Sequence, residues 1–152
     1  MSEPGAPRPA YVLVSDAQAM RLALTDIRTA TRIAVDTEAD SGHHYPEKVC
    51  LVQVAAGARA YLLDVLAIVD LSGLGEVLAD HRIEKVLHGA DYDLRGLDRD
   101  WGFRVRPLYD TSVAARLAGI ERFGLSALME ELLGVVSPSS RRSSAPTGLA
   151  AR

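Results

Sequence analysis

Three short apolar runs, at 32–38, 49–55 and 60–63, follow one another with only a polar loop and an Ala56-Gly57 turn between them. Short apolar runs bounded by turn residues read as strands, and strands joined by short connections read as an antiparallel meander. A strand at 11–14 and a helix capped by Ser15 or Asp16 precede the meander. That helix runs to about Thr29, with Met20, Ala23, Leu24 and Ile27 at helical spacing. After the meander the pattern becomes an alternation: a helical region at 71–80, a short buried strand at 85–88, a helix at 90–101, an extended stretch at 105–109, and helices at 111–117 and 125–133. Ala90, Leu94, Leu97 and Trp101 form one apolar stripe, and Leu125, Leu128, Met129 and Leu132 are expected to face inward. Gly102 and Gly134 are stop signals for those two helices. The order predicts an α/β fold: a mixed β-sheet, first an antiparallel meander and then parallel strands, flanked by helices.

At 152 residues the prior is one domain, and 48% hydrophobic residues suffice for a core. The net charge of −3 excludes a basic glove for nucleic acid and argues against tight non-specific duplex binding by the bare protein. It leaves room for phosphate bound through cations. The lone cysteine, in Val49-Cys50-Leu51-Val52, reads as a small buried hydrophobe and suits a reducing compartment. No run approaches a membrane span, so a cytoplasmic location is expected. Residues 1–10 read as a flexible lead, 11–136 as the folded body, and the Ser- and Arg-rich 137–152 as a disordered tail.

The chemistry begins with Asp36 and Glu38. Residues two apart on a strand share a face, so the two carboxylates stand side by side while Ile33, Val35 and Thr37 point the other way. Like charges that close repel, and a divalent cation relieves them; hard oxygen donors suit magnesium or manganese. The alternative is a strand end that simply meets solvent. Asp93 falls in the first turn of the 90–101 helix, beside its buried stripe, where an acid is also favoured by the helix dipole alone. Asp91 and Asp98 read as solvated. His88 is a substrate contact or a structural histidine, and Tyr45 a stacking platform or a loop anchor. His43 and His44 belong to the same polar loop, Asp110 is a cap for the next helix, and Arg104 and Arg106 lie on an exposed stretch.

Ile33-Ala34-Val35-Asp36-Thr37-Glu38 and Lys85-Val86-Leu87-His88-Gly89-Ala90-Asp91-Tyr92-Asp93-Leu94 resemble the first two exonuclease motifs of the ribonuclease D family. The resemblance covers roughly 11–136 and includes Tyr45-Pro46, Leu63-Asp64, Leu108-Tyr109-Asp110-Thr111 and Gly124-Leu125-Ser126-Ala127-Leu128. It implies a DEDD-type 3′–5′ exonuclease domain of the DEDDy subgroup with a ribonuclease H-like fold. It also implies two divalent cations, Mg²⁺ or Mn²⁺, about 3.5–4 Å apart. By the same resemblance Asp36 would bridge both cations, Glu38 would hold the one that activates water, and Asp93 would serve the second. Thr37, Tyr45 and His88 would contact the substrate, the 3′ end of single-stranded RNA or of DNA.

The family's third motif adds a tyrosine that orients the attacking water and an aspartate four residues later. This chain has no tyrosine after Tyr109 and no aspartate after Asp110. The first cation site is therefore expected to be incomplete and the C-terminal helices absent. Turnover by the chain alone should fall by several powers of ten, with a non-catalytic nucleic-acid-binding remnant as the alternative. A shifted reading frame through 136–152 can be written to resemble the lead-in to that motif, which marks the tail as a frameshift product. Apolar surface left uncovered would promote self-association.

Overall fold

The computed structural model describes residues 10–40 and 47–136. The expected flexible lead (apart from Ala10), the loop residues His43, His44 and Tyr45, and the 137–152 tail lie outside the described residues. The chain divides into two compact units, Met1–Thr111 and Ser112–Arg152. No shift in composition marks that boundary.

The first unit holds a six-stranded sheet. Its strands are β1 (Ala10–Val14), β2 (Arg32–Asp40), β3 (Lys48–Ala56), β4 (Arg59–Asp64), β5 (Glu84–Leu87) and β6 (Leu108–Asp110), in spatial order β1-β4-β3-β2-β5-β6. The meander β2-β3-β4 is antiparallel; β5 and β6 continue from β2 in parallel, and β1 pairs with β4 in parallel. The expected mixed sheet is thus observed. Three helices accompany it: α1 (Ala17–Ile27), α2 (Ser72–Ala79) and α3 (Asp91–Trp101). Asp16 starts α1, its carboxylate accepting from the backbone N–H groups of Gln18 and Ala19 at 2.8 Å. Gly102 ends α3 in the left-handed conformation, with φ of 69°.

Alternation along the strands divides the sheet into two unlike faces. Ile33, Val35, Val52, Val54, Tyr61, Leu63 and Leu87 are buried together with Met20, Leu24 and Ile27 of α1, Leu74 and Leu78 of α2 and Leu97 of α3. Each fully buried Ile or Leu stabilises the fold by roughly 1.5–3 kcal/mol. On the other face Ala34, Asp36 and Glu38 of β2 are exposed, and their β3 partners Leu51, Gln53 and Ala55 are only half-buried. The carboxylates therefore stand on the face that the core does not use.

Several expectations change. The extended stretch at 105–109 pairs only from Leu108, because the Arg106 N–H goes to the Leu78 carbonyl of α2 at 3.0 Å and Pro107 has no N–H to give. Cys50 is half-buried rather than buried, and its thiol donates to the Glu38 carbonyl at 3.3 Å. Lys85, in the run read as apolar, is fully buried; its ammonium donates to the carbonyls of Val77 at 3.3 Å and Asp80 at 2.8 Å, at the end of α2. Burial pushes its pKa down.

Helix α4 (Thr111–Leu117) and helix α5 (Leu125–Leu133) follow, with bounds as predicted, and Gly134 closes α5 at φ of 66°. Within the second unit Arg116 lies over the Phe123 ring at 5.5 Å. Leu128 is buried, but Leu125 and Leu132 are exposed, contrary to the inward stripe expected. Helices of seven and nine residues offer too little surface to enclose a core between themselves.

Candidate active site

Strand β2 changes partners where the acids begin. Its parallel ladder with β5 runs from Arg32↔Glu84 to Ala34↔Val86, whereas its antiparallel ladder with β3 continues through Asp36↔Gln53 and Glu38↔Leu51. Beyond Ala34, backbone groups on the β5 side need another partner. Asp93 supplies it. Its Oδ1 accepts from the Thr37 backbone N–H at 2.9 Å and from the Thr37 hydroxyl at 2.7 Å. Thr37 and Asp93 are both buried, so the pair is shielded from competing water. Ligand sites in sheets of this kind form at such a switch point, at the carboxyl ends of the parallel strands.

The result is three carboxylates within electrostatic reach. Burial pushes the Asp36 carboxyl above its ordinary value; the charges of Asp93 and then Glu38 add to this, and the Thr37 N–H partly offsets it. Among the described residues no basic side chain forms a salt bridge with Asp36 or Glu38. Other acids are treated differently: Asp80 is held by the Arg82 guanidinium, at 2.7 Å, and its pKa is depressed to below the usual carboxylate range. A cluster of hard oxygen donors left without a protein counter-charge fits a divalent cation in its chemistry. Among the described residues no three His, Cys, Asp or Glu side chains form a ready-made ion cage.

The approach to Asp93 is fixed from β6. Asp110, expected only as a cap for α4, accepts from the Gly89 N–H at 3.0 Å and the Ala90 N–H at 2.8 Å. Gly89 has φ of 70°, a conformation glycine adopts freely, and this turns the chain from β5 into α3. Thr111 bonds the Leu87 carbonyl at 3.1 Å and His88 Nδ1 at 2.9 Å. On the other flank Tyr92 hydrogen-bonds Glu47, and Asp100 accepts from the Val49 N–H at 2.8 Å, which ties the start of β3 to α3.

Asp36, Glu38 and Asp93 are thus brought together at one strand end, and His88 lies at the next step of the adjacent strand. Tyr45 is outside the described residues. The substrate contact expected of the Thr37 side chain is corrected: its hydroxyl is buried and spent on Asp93, so Thr37 is a positioning residue. Arg104 pairs with Asp98 at 3.3 Å. Asp110's hold on the Gly89 turn and the Tyr92–Glu47 tie escaped the sequence reading, since neither link has a local spacing signature.

A family model described as 3′–5′ exonuclease matches residues 11–144. The Exosome complex exonuclease RRP6 of Saccharomyces cerevisiae is 39% identical over 108 residues, 70% of this chain and 15% of that protein. The Ribonuclease D of Pseudomonas paraeruginosa is 37% identical over 112 residues, 73% of this chain and 30% of that protein. The crystal structure of Escherichia coli RNase D, an exoribonuclease involved in structured RNA processing, superposes with a TM-score of 0.78 at 28% identity, covering 92% of this chain and 38% of that one. The chain spans 14–30% of the length of these and similar curated relatives. Among the described residues no helix is long and apolar enough to cross a membrane.

Proposed function

This chain belongs to the 3′–5′ exonuclease family, and from that premise we propose that it is the nuclease module of a ribonuclease D-like or RRP6-like protein, hydrolysing phosphodiester bonds at RNA 3′ ends. The observation that carries the proposal is the group of mutually repelling carboxylates on Asp36, Glu38 and Asp93 at the switch point of the sheet. Asp36, Glu38 and Asp93 are the residues that would hold two divalent cations, Mg²⁺ or Mn²⁺. Such cations, when bound, supply neutralising charge at the scissile phosphate and lower the pKa of the attacking water. The chain's own contribution is placement. Thr37 keeps the Asp93 carboxylate turned toward the end of β2, and Asp110 fixes the turn that delivers α3. Single-stranded RNA ends are the proposed substrate, with DNA ends as a lesser one.

A second reading, a nucleic-acid-binding remnant without turnover, is favoured by one observation. The described residues hold no preassembled ion cage, and the sequence has no tyrosine after Tyr109 to orient water. Cation binding in the first reading has to draw the three acids together.

Asp36→Asn separates the readings by thermal unfolding. A raised carboxyl pKa means the folded state holds its proton more tightly than the unfolded one, whose value is near 3.8. Stability from this group is present below that value, is lost as pH rises through the folded pKa, and leaves a constant penalty at neutral pH. Asn removes the penalty. The metal-free variant should therefore melt above the wild type at pH 7, and Mn²⁺ should raise the melting temperature of the wild type only. Mn²⁺ shifting both proteins equally, or neither, would count against a cation site at Asp36.

Self-association is proposed on separate grounds. Strand β1 forms one edge of the sheet, and its Tyr11 and Leu13 are about two-thirds exposed, at 66% and 65%. Unpaired apolar edges recruit other chains. Light scattering should give a mass above the 16.3 kDa of one chain at high concentration. A constant monomer mass across the concentration range would remove this proposal.

A further inference from the structure

We propose that His88 presents an unprotonated Nε2 as a hydrogen-bond acceptor for a ribose hydroxyl of the terminal nucleotide, in a tautomer fixed by Thr111. The inference rests on the nuclease reading above and assigns a substrate group to one residue of that site.

A proton count carries it. The Thr111 hydroxyl has one proton and two polar neighbours, the Leu87 carbonyl at 3.1 Å and His88 Nδ1 at 2.9 Å. A carbonyl oxygen only accepts, so the contact to Leu87 uses the hydroxyl proton. The bond to His88 must then run from Nδ1–H to the hydroxyl oxygen. In the neutral ring this leaves Nε2 as a lone pair. Among the described residues Nε2 has no hydrogen-bond partner, and no buried side-chain nitrogen or oxygen lacks one, so Nε2 is open to solvent.

Placement follows from register. Lys85 and Leu87 of β5 face the core, whereas Val86, which pairs with Ala34, faces away from it. One further step along both strands sets His88 beside Asp36 on the carboxylate face. Asp110 and Thr111 hold the chain on both sides of the ring, at Gly89, Ala90 and Leu87. A neutral acceptor beside acids gains nothing from phosphate oxygens, which also only accept. It matches a hydroxyl donor, and ribose is the part of a nucleotide 3′ end that carries hydroxyls.

Long-range proton–nitrogen correlation on the ¹⁵N-labelled full chain reads the tautomer directly, with unprotonated Nε2 expected. Titration with adenosine 5′-monophosphate and Mg²⁺ should then shift the Nε2 resonance. The 2′,3′-dideoxy analogue should bind about threefold to tenfold more weakly to the unaltered protein, the effect of one lost hydrogen bond. Thr111→Val should weaken adenosine 5′-monophosphate by a similar factor, and Thr111→Ser should restore it. An Nε2–H tautomer, or equal affinity for the two nucleotides, overturns the inference alone. Absence of any nucleotide binding overturns the nuclease reading and the inference together.

Discussion

Lys85→Ala should lower the free energy of unfolding by about 3–5 kcal/mol, as read from urea denaturation. Lys85 has no exposed surface, and its ammonium satisfies the carbonyls of Val77 and Asp80 where α2 ends. Truncation leaves both carbonyls without that donor and opens a void along the stem. Lys85→Met keeps most of the volume and should fall between the two proteins. The pH dependence has a definite sign. Burial lowers the lysine's pKa in the folded state, so between that value and the ordinary 10.5 the unfolded chain binds more protons. This group's contribution therefore rises with pH across that window, and the rise should vanish in Lys85→Met. A loss under about 1 kcal/mol for Lys85→Ala would mean that water replaces the ammonium.

Thr37→Val should weaken Mn²⁺ binding and slow RNA cleavage by about 10- to 100-fold, the usual effect of removing a group that orients a ligand. The isosteric change deletes the 2.7 Å hydroxyl bond to Asp93 and leaves the 2.9 Å backbone bond in place. The Asp93 carboxylate is then free to rotate. Thr37→Ser should recover most of both properties. Calorimetric titration with Mn²⁺ checks the first effect and single-turnover cleavage the second. Unchanged affinity in Thr37→Val would show that the backbone N–H alone holds Asp93.

Much of the architecture was legible because it is periodic. The alternation through Ile33, Val35 and Thr37 gave β2 and its two faces, and Met20, Ala23, Leu24 and Ile27 gave α1. Asp36 and Glu38 share a face for the same reason. Links between residues distant in sequence were not legible. The bond from Thr37 to Asp93 spans 56 residues and exists because the β5 ladder stops at Ala34, a fact of register that no local spacing records. Lys85 was hidden by its neighbours: a lysine at the head of Val86 and Leu87 reads as a strand boundary, and only the end of α2 explains its burial. The Leu125 and Leu132 stripe misled in the opposite direction, since periodicity reports an apolar face and not whether anything covers it.

The central claim is that Asp36, Glu38 and Asp93 form a cation-dependent site for hydrolysis at RNA 3′ ends. The most direct measurement is prolonged incubation of 5′-labelled single-stranded RNA with Mn²⁺, comparing this chain with Asp36→Ala. The account predicts slow stepwise shortening from the 3′ end by the chain as it stands, none without Mn²⁺, and none by the variant. Equal signals from the two proteins would contradict it.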